Sequence, residues 1–373
     1  MKAPLRMLVL GSRWPPESFL ERLLQRVASK DLQIWIAQRK RVEIEHAHIH
    51  HFPMPIEGLL GKAQESVWAM LGWMRTGHRP RMGGVLRQSW DLLYFPWNSG
   101  AVSCLPLMKV GIPSIVSCRG SQILIAPHVP GRQALTESYP EMFEHATVVH
   151  CVSQDILAAS VSLGLDARRA RVITPAVDEQ VYFPLSKRSP REGPLQVLGL
   201  GTLIWRKGFE DALLAVAQLR DRGVEIRYHL VGEGRDRQRL QFAVRDLGLE
   251  QQVTFHGSMK SQEIPALMQR CDAFLLSSVC EGISNAALEA MSCGLAVVST
   301  RCGGMEEAIE DQKHGLLVPA RDPAAMADAL ERLASNHELL ASLGQAARTR
   351  VQQSFRLDDQ AEAFRELCFT AVR

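Results

Sequence analysis

The order of its apolar runs constrains this chain more than any other feature: short β-rich segments alternate with amphipathic stretches in one series, and then again in a second. Such alternation specifies parallel sheets covered by helices. The first series places strands at 7–10, 33–37, 91–95, 113–117 and 147–152. The second places them at 196–200, 227–231, 253–255, 273–276, 296–299 and 315–318, with amphipathic helices at 209–222 and 324–333. Residues 184–194, rich in proline and charge, read as a linker. At 373 residues the chain is long for one compact core. The expected class is α/β, with two Rossmann-like doubly wound lobes facing a cleft and ligands at the carboxyl ends of the strands. Phe355, Leu357, Ala361, Phe364 and Cys368 recur at roughly helical spacing, so 355–373 reads as a terminal helix returning to the first lobe. The two main domains are then 1–184 and 195–354.

Composition narrows the class. A hydrophobic content of 46% with 22% charged residues suits a soluble globular protein, and a net charge of +3 gives no argument for a nucleic-acid partner. No apolar run is long enough to cross a bilayer, and residues 1–11 are too short an apolar stretch for a secretory signal, so a cytoplasmic location is expected. The eight cysteines are scattered without a Cys-x-x-Cys pair, which favours reduced, buried thiols over zinc or disulfides.

The segment Glu281-Gly282-Ile283-Ser284-Asn285-Ala286-Ala287-Leu288-Glu289-Ala290-Met291 carries the strongest functional signal. Ser284 is a plausible N-cap, 285–293 reads as helix, and Gly294 fits the position just past its end. Unpaired amides and the positive end of the helix dipole then lie between two carboxylates. A phosphate suits the amides, and the acids suit sugar hydroxyls on either side of it. The spacing fits equally well a capped core helix with two solvated acids.

Upstream, Gly199-Leu200-Gly201-Thr202 leads into Trp205-Arg206-Lys207-Gly208, a turn that permits close backbone approach followed by two cations able to neutralise a diphosphate. A plain strand-to-helix turn with solvated Arg206 and Lys207 satisfies the same residues. The third glycine of a dinucleotide fingerprint and an acid about twenty residues on are both missing, which excludes a nicotinamide enzyme.

Gly201-Thr202-Leu203-Ile204-Trp205-Arg206-Lys207-Gly208-Phe209, Val231-Gly232-Glu233-Gly234, Phe255-His256-Gly257-Ser258, the 281–291 segment and Ser299-Thr300-Arg301-Cys302-Gly303-Gly304-Met305-Glu306-Glu307 resemble, in order, the motifs of family 4 retaining glycosyltransferases, enzymes of the GT-B fold. The resemblance continues upstream at 14–20 and 174–184. It implies transfer of a hexosyl unit from a nucleoside diphosphate sugar, UDP-linked, to a saccharide or lipid-linked glycan, with the first domain on the acceptor side. By this resemblance Glu281 binds donor-sugar hydroxyls and Glu289 the ribose. The backbone of Gly282, Ile283, Ser284 and Asn285 meets the donor, and Lys207 its phosphates. The loop at Gly257, Ser258 and Met259 lies along the base. Thr202 stands where the family usually has an arginine, for which Arg206 would compensate.

In the first lobe, Arg119-Gly120-Ser121-Gln122 is similar in position to a family segment that reaches the donor sugar, but departs from its His-Gly-x-Asp form. Arg119 could stabilise the leaving group or simply form a surface ion pair. Gln122 cannot act as a base. The resemblance implies reaction on one face, with the departing phosphate taking the acceptor proton, no carboxylate nucleophile, no cofactor and no metal. His46-Ala47-His48-Ile49-His50-His51, with histidines alternating along one face, reads as a polar edge strand in preference to a metal site. Residues 66–90, where tryptophans interleave with arginines and acids are absent, fit either a peripheral contact with the inner membrane face or a helix packed on its own lobe. A sugar epimerase or phosphorylase on the same architecture, or a non-catalytic sugar-nucleotide-binding protein, remain alternatives.

Overall fold

The computed structural model describes residues 3–38, 40–54, 85, 88–185 and 193–373. These form two compact units, one of 1–174 together with 358–373 and one of 175–357.

In the first unit seven strands, β1 Leu5–Val9, β2 Leu32–Gln38, β3 Ile49–Pro53, β4 Leu92–Phe95, β5 Ser114–Cys118, β6 Val148–Cys151 and β7 Ala170–Val172, form one sheet of order β3-β2-β1-β4-β5-β6-β7. Every neighbouring pair is parallel. Side chains of a strand alternate between faces, so β1 feeds two cores. Met7 and Val9 enter a cluster with Leu24, Tyr94 and Phe364, whereas Leu8 and Leu10 enter one with Phe95, Val116 and Phe143. Both faces are buried, as parallel sheets require. The terminal helix Leu357–Ala371 covers the first of these faces through Ala361, Phe364, Leu367, Cys368 and Ala371.

Phe355 does not share that face. It packs with Val177 and Tyr182 in the second unit, where Val177 N donates to Phe355 O (2.9 Å) and Leu357 N to Val177 O (3.0 Å). Burial of Val177 and Tyr182 draws 175–184 into the second unit, whereas the composition of the chain had suggested a boundary after 184.

The second unit carries β8 Leu195–Leu200, β9 Ile226–Val231, β10 Val253–Gly257, β11 Ala273–Leu276, β12 Ala296–Thr300 and β13 Leu316–Val318, in the order β10-β9-β8-β11-β12-β13 and again all parallel. The winding reverses between β8 and β11, which lie side by side with Ala273 opposite Val197. Loops leaving two adjacent strands in opposite directions open a crevice at their carboxyl ends. The segments after β8 and after β11 are the two that hold Lys207 and Glu281.

β3 is the edge strand suggested by the histidine alternation. Its His50 Nε2 lies 2.7 Å from Gln33 Oε1, and Gln33 Nε2 lies 3.2 Å from His48 Nδ1. Of the segment 66–90, only 85 and 88–90 are described, so its membrane reading lies outside the described residues. Trp90 itself is core: its indole N–H donates to Val85 O (2.8 Å) and its ring packs edge-on against Trp35 and Phe52. Among the described residues no helix is long and apolar enough to cross a membrane.

Candidate active site

The turn after β8 and the loop after β11 are fastened to each other by backbone. Trp205–Lys207 is a short 3-10 turn that ends at Gly208, whose φ of 63° lies in the left-handed region. A Cβ at Gly208 would stand 1.9 Å from Ser277 O, so only glycine lets the two segments approach. The Ser277 hydroxyl donates to Lys207 O (2.8 Å) and Val279 N to Arg206 O (2.8 Å). Thr300, at the end of β12, donates its hydroxyl to Ser278 O (2.5 Å) and so ties a third strand end to the loop.

This frame brings Lys207 and Glu281 together. The Lys207 ammonium donates to Glu281 Oε1, with the two side chains only 15% and 11% exposed. The Ser278 hydroxyl donates to the same oxygen (2.8 Å). One carboxylate oxygen thus has two donors, and the other keeps its lone pairs for further partners. A largely buried ion pair of this kind is costly to desolvate, and the accompanying hydrogen bonds offset part of that cost.

Glu281 leads directly into the helix Asn285–Ser292. Ser284 caps it, accepting Ala287 N on its hydroxyl (3.4 Å), while Ser284 N donates to Met305 Sδ (3.3 Å). The first-turn amides of Asn285 and Ala286 have no acceptor within the helix. An amide pair at a positive helix terminus, four and five residues past a carboxylate that already carries a lysine, is suited to a ligand with both phosphate and hydroxyl groups. Glu289 lies one turn further on, 6% exposed, on the same helix. Met305 follows Gly303 and Gly304, which form the turn into the short helix Met305–Ala308.

Gly257 ends β10 with φ of 68°, and its carbonyl accepts Gly232 N (2.8 Å), joining the loops after β9 and β10. Ser258 is exposed beyond it and Met259 is partly buried against the core below. Thr202 is exposed and its carbonyl accepts Ile204 N (2.9 Å); Arg206 is half-buried. In the first unit, Arg119 donates through Nε to Pro96 O (3.2 Å) and packs its guanidinium over the rings of Phe19 and Trp97. Gln122 exchanges two hydrogen bonds with Ser99, donating to its hydroxyl (2.9 Å) and accepting its backbone N–H (3.1 Å).

Ser277 and Ser278 lie outside the motifs, and Thr300 and Met305 lie inside one without a role that the sequence assigns. The available signal was the Ser277-Ser278 pair directly after an apolar strand and just before Glu281, since hydroxyls there must be satisfied by something nearby. Cys302, on which the Thr300 hydroxyl also lies (3.3 Å), is buried, and burial pushes its thiol up to about 12, which leaves it inert as a nucleophile.

The model of the family described as "Glycosyl transferases group 1" matches residues 185–350, which hold all these second-unit residues. The Escherichia coli K12 protein WcaL, named for colanic acid biosynthesis, is 32% identical over 318 residues, covering 80% of this chain and 77% of its own. The Erwinia amylovora protein AmsK, named for amylovoran biosynthesis, is 30% identical over 287 residues, covering 74% and 68%. Among solved structures, Anabaena HepE in complex with UDP-glucose superposes with a TM-score of 0.77 at 20% identity over 98% of this chain and 100% of that one. At that identity the likeness speaks for the fold, which is GT-B.

Proposed function

The chain belongs to the group 1 glycosyl transferases, and on that premise we propose that it moves a hexosyl unit from a UDP-linked sugar to a saccharide or lipid-linked glycan, with retention at the anomeric carbon. The observation that carries this reading is the Lys207–Glu281 pair set against the capped terminus of the Asn285–Ser292 helix. The diphosphate would lie on the Asn285 and Ala286 amides, with Lys207 and Arg206 balancing its charge. Glu281 would accept hydrogen bonds from sugar hydroxyls on its second oxygen. Glu289 would take the ribose, and the backbone of Gly257, Ser258 and Met259 the base.

In the reaction the bond from C1 to the diphosphate oxygen breaks and the bond from C1 to the acceptor oxygen forms on the same face. The acceptor proton passes to the departing phosphate oxygen. Lys207, Arg206 and the helix amides meet the charge that develops there, so the protein's work is positioning and electrostatics, and the scheme requires no metal. Relatives named for colanic acid and amylovoran biosynthesis support a polysaccharide as the product. A lipid-linked acceptor would also give the 66–90 segment a membrane surface to meet.

The test is acceptor-dependent release of UDP from a panel of UDP-hexoses, with the anomeric configuration of the product read by NMR. Interconversion of the donor without acceptor would point to an epimerase instead. Donor binding with no turnover across a broad acceptor panel would favour a non-catalytic binding protein.

A further inference from the structure

A pocket of about 260 Å³ opens on the second unit, lined by Trp205, Glu210, Asp211, Asp236, Arg239 and Arg321. Lys207, Glu281, Ser284 and Glu289 are not among its lining residues. Its exposed apolar wall is the indole of Trp205, 46% exposed, although a side chain of this size gains by leaving water. Ile204, Phe209 and Leu240 also line it, the last two buried and continuous with the core beneath.

The polar lining carries both signs. Arg239 pairs with Glu210 across the heads of two helices, Phe209–Asp221 and Arg237–Asp246. Asp211, in the first turn of the former, feels the Arg321 charge; burial and then Glu210 raise its carboxyl above the ordinary range. Arg321 is held at a φ of 59°, a left-handed conformation that costs a non-glycine residue energy. Three carboxylates oppose a phosphate here, and two guanidinium groups oppose a metal cation. Planar donors and acceptors around a flat apolar wall instead match an uncharged ring with hydroxyls at its rim and C–H bonds on its face. The volume falls below the range of about 300–1,000 Å³ typical of drug-sized ligands, which limits the occupant to roughly one ring.

We infer that this pocket binds a neutral pyranose unit of a glycan chain, with the sugar face on Trp205 and its hydroxyls shared between the carboxylates and Arg321. This is a saccharide site additional to the donor residues and stands independently of the donor proposed for them. Trp205 heads the turn whose third residue is Lys207, so a glycan held there is tethered to the unit that carries the donor groups.

Calorimetric titration of the full chain with maltohexaose, cellohexaose and mannohexaose, alongside a separate titration with UDP, tests the assignment. At least one hexaose binds in the millimolar range. Trp205→Ala weakens that binding by about tenfold, and Trp205→Phe retains most of it. Arg321→Gly, which relieves the backbone and removes the guanidinium, also weakens hexaose binding without lowering thermal stability. Glu281→Ala leaves hexaose binding unchanged. The inference is overturned if no hexaose binds, if Trp205→Ala and Arg321→Gly bind as the parent does, or if Glu281→Ala abolishes hexaose binding. The UDP titration reports separately on the donor reading.

Discussion

The Ser278 hydroxyl, fully buried, donates to Glu281 Oε1 over 2.8 Å. Because the Lys207 ammonium reaches the same oxygen, the carboxylate is held in one orientation before any ligand arrives. Preorganisation of this kind lets a charged group act on the donor without first paying to be ordered.

Replacing Ser278 by Ala removes one of the two donors to that oxygen and leaves the loop backbone in place. A hydrogen bond to a charged group contributes about 1.5–3 kcal/mol, so kcat/KM should fall roughly 10–100-fold. Ser278→Thr, which keeps the hydroxyl, should recover part of the loss. Unchanged kinetics in Ser278→Ala would show that Glu281 is held by Lys207 alone.

Lys207→Ala and Glu281→Ala should both abolish turnover, while their effects on stability differ. Lys207→Ala leaves a carboxylate side chain 11% exposed without its cation, at a cost of about 3–5 kcal/mol. Glu281→Ala leaves a lysine whose longer stem can still reach water. Urea titrations of the two variants, together with acceptor-dependent UDP release, check both halves; near-normal activity in both would remove the site.

Gly208→Ala should be more damaging than its size suggests. The added Cβ meets Ser277 O at 1.9 Å and the backbone is left-handed there, so the 205–207 turn must move away from the loop after β11. A stability loss above about 1 kcal/mol is expected, with weakened UDP binding alongside it. A variant that melts and binds as the parent does would contradict the close approach.

His150 makes the first unit acid-sensitive. The imidazole is buried, its Nε2 lies 2.9 Å from Ile173 O and its Nδ1 2.8 Å from Ser117 Oγ, which in turn lies 3.1 Å from the Tyr94 hydroxyl. A carbonyl can only accept, so Nε2 carries the hydrogen and Nδ1 accepts from Ser117. Burial first, and then the Arg119 charge, lower the imidazole from its ordinary 6.5 to about 3. Between those values the unfolded chain takes a proton that the folded chain refuses. Stability therefore falls as pH drops through this window, by up to about 1.4 kcal/mol per pH unit. His150→Gln should flatten the dependence of melting temperature on pH between 6.5 and 4; an identical slope in the variant would refute it.

The legible parts of the chain were those written in local pattern. Five of the seven strands of the first sheet and all six of the second lay near runs of β-branched and apolar residues. Ser284 before an apolar helix marked a cap that the structure forms. β7 escaped notice because Ala170–Val172 is three residues long and has an arginine at its centre, too short for alternation to register. Helical spacing groups Phe355 with the terminal helix because spacing alone does not specify which of two cores a residue enters. For Arg119 the sequence leaves open a leaving-group contact or an ion pair, and it carries no sign of the tertiary packing of its guanidinium on Phe19 and Trp97 of its own unit.

By itself the amino-acid order determined the α/β class, the doubled series of strands and the identity of the motif residues, because period and capping are properties of neighbours along the chain. Only the tertiary structure decided that β8 and β11 lie side by side and that Gly208 meets Ser277. It also decided that Lys207 and Ser278 share one oxygen of Glu281. Those relations join residues about seventy positions apart, and no local propensity encodes them. They exist because burying both faces of a parallel sheet forces its strand ends together.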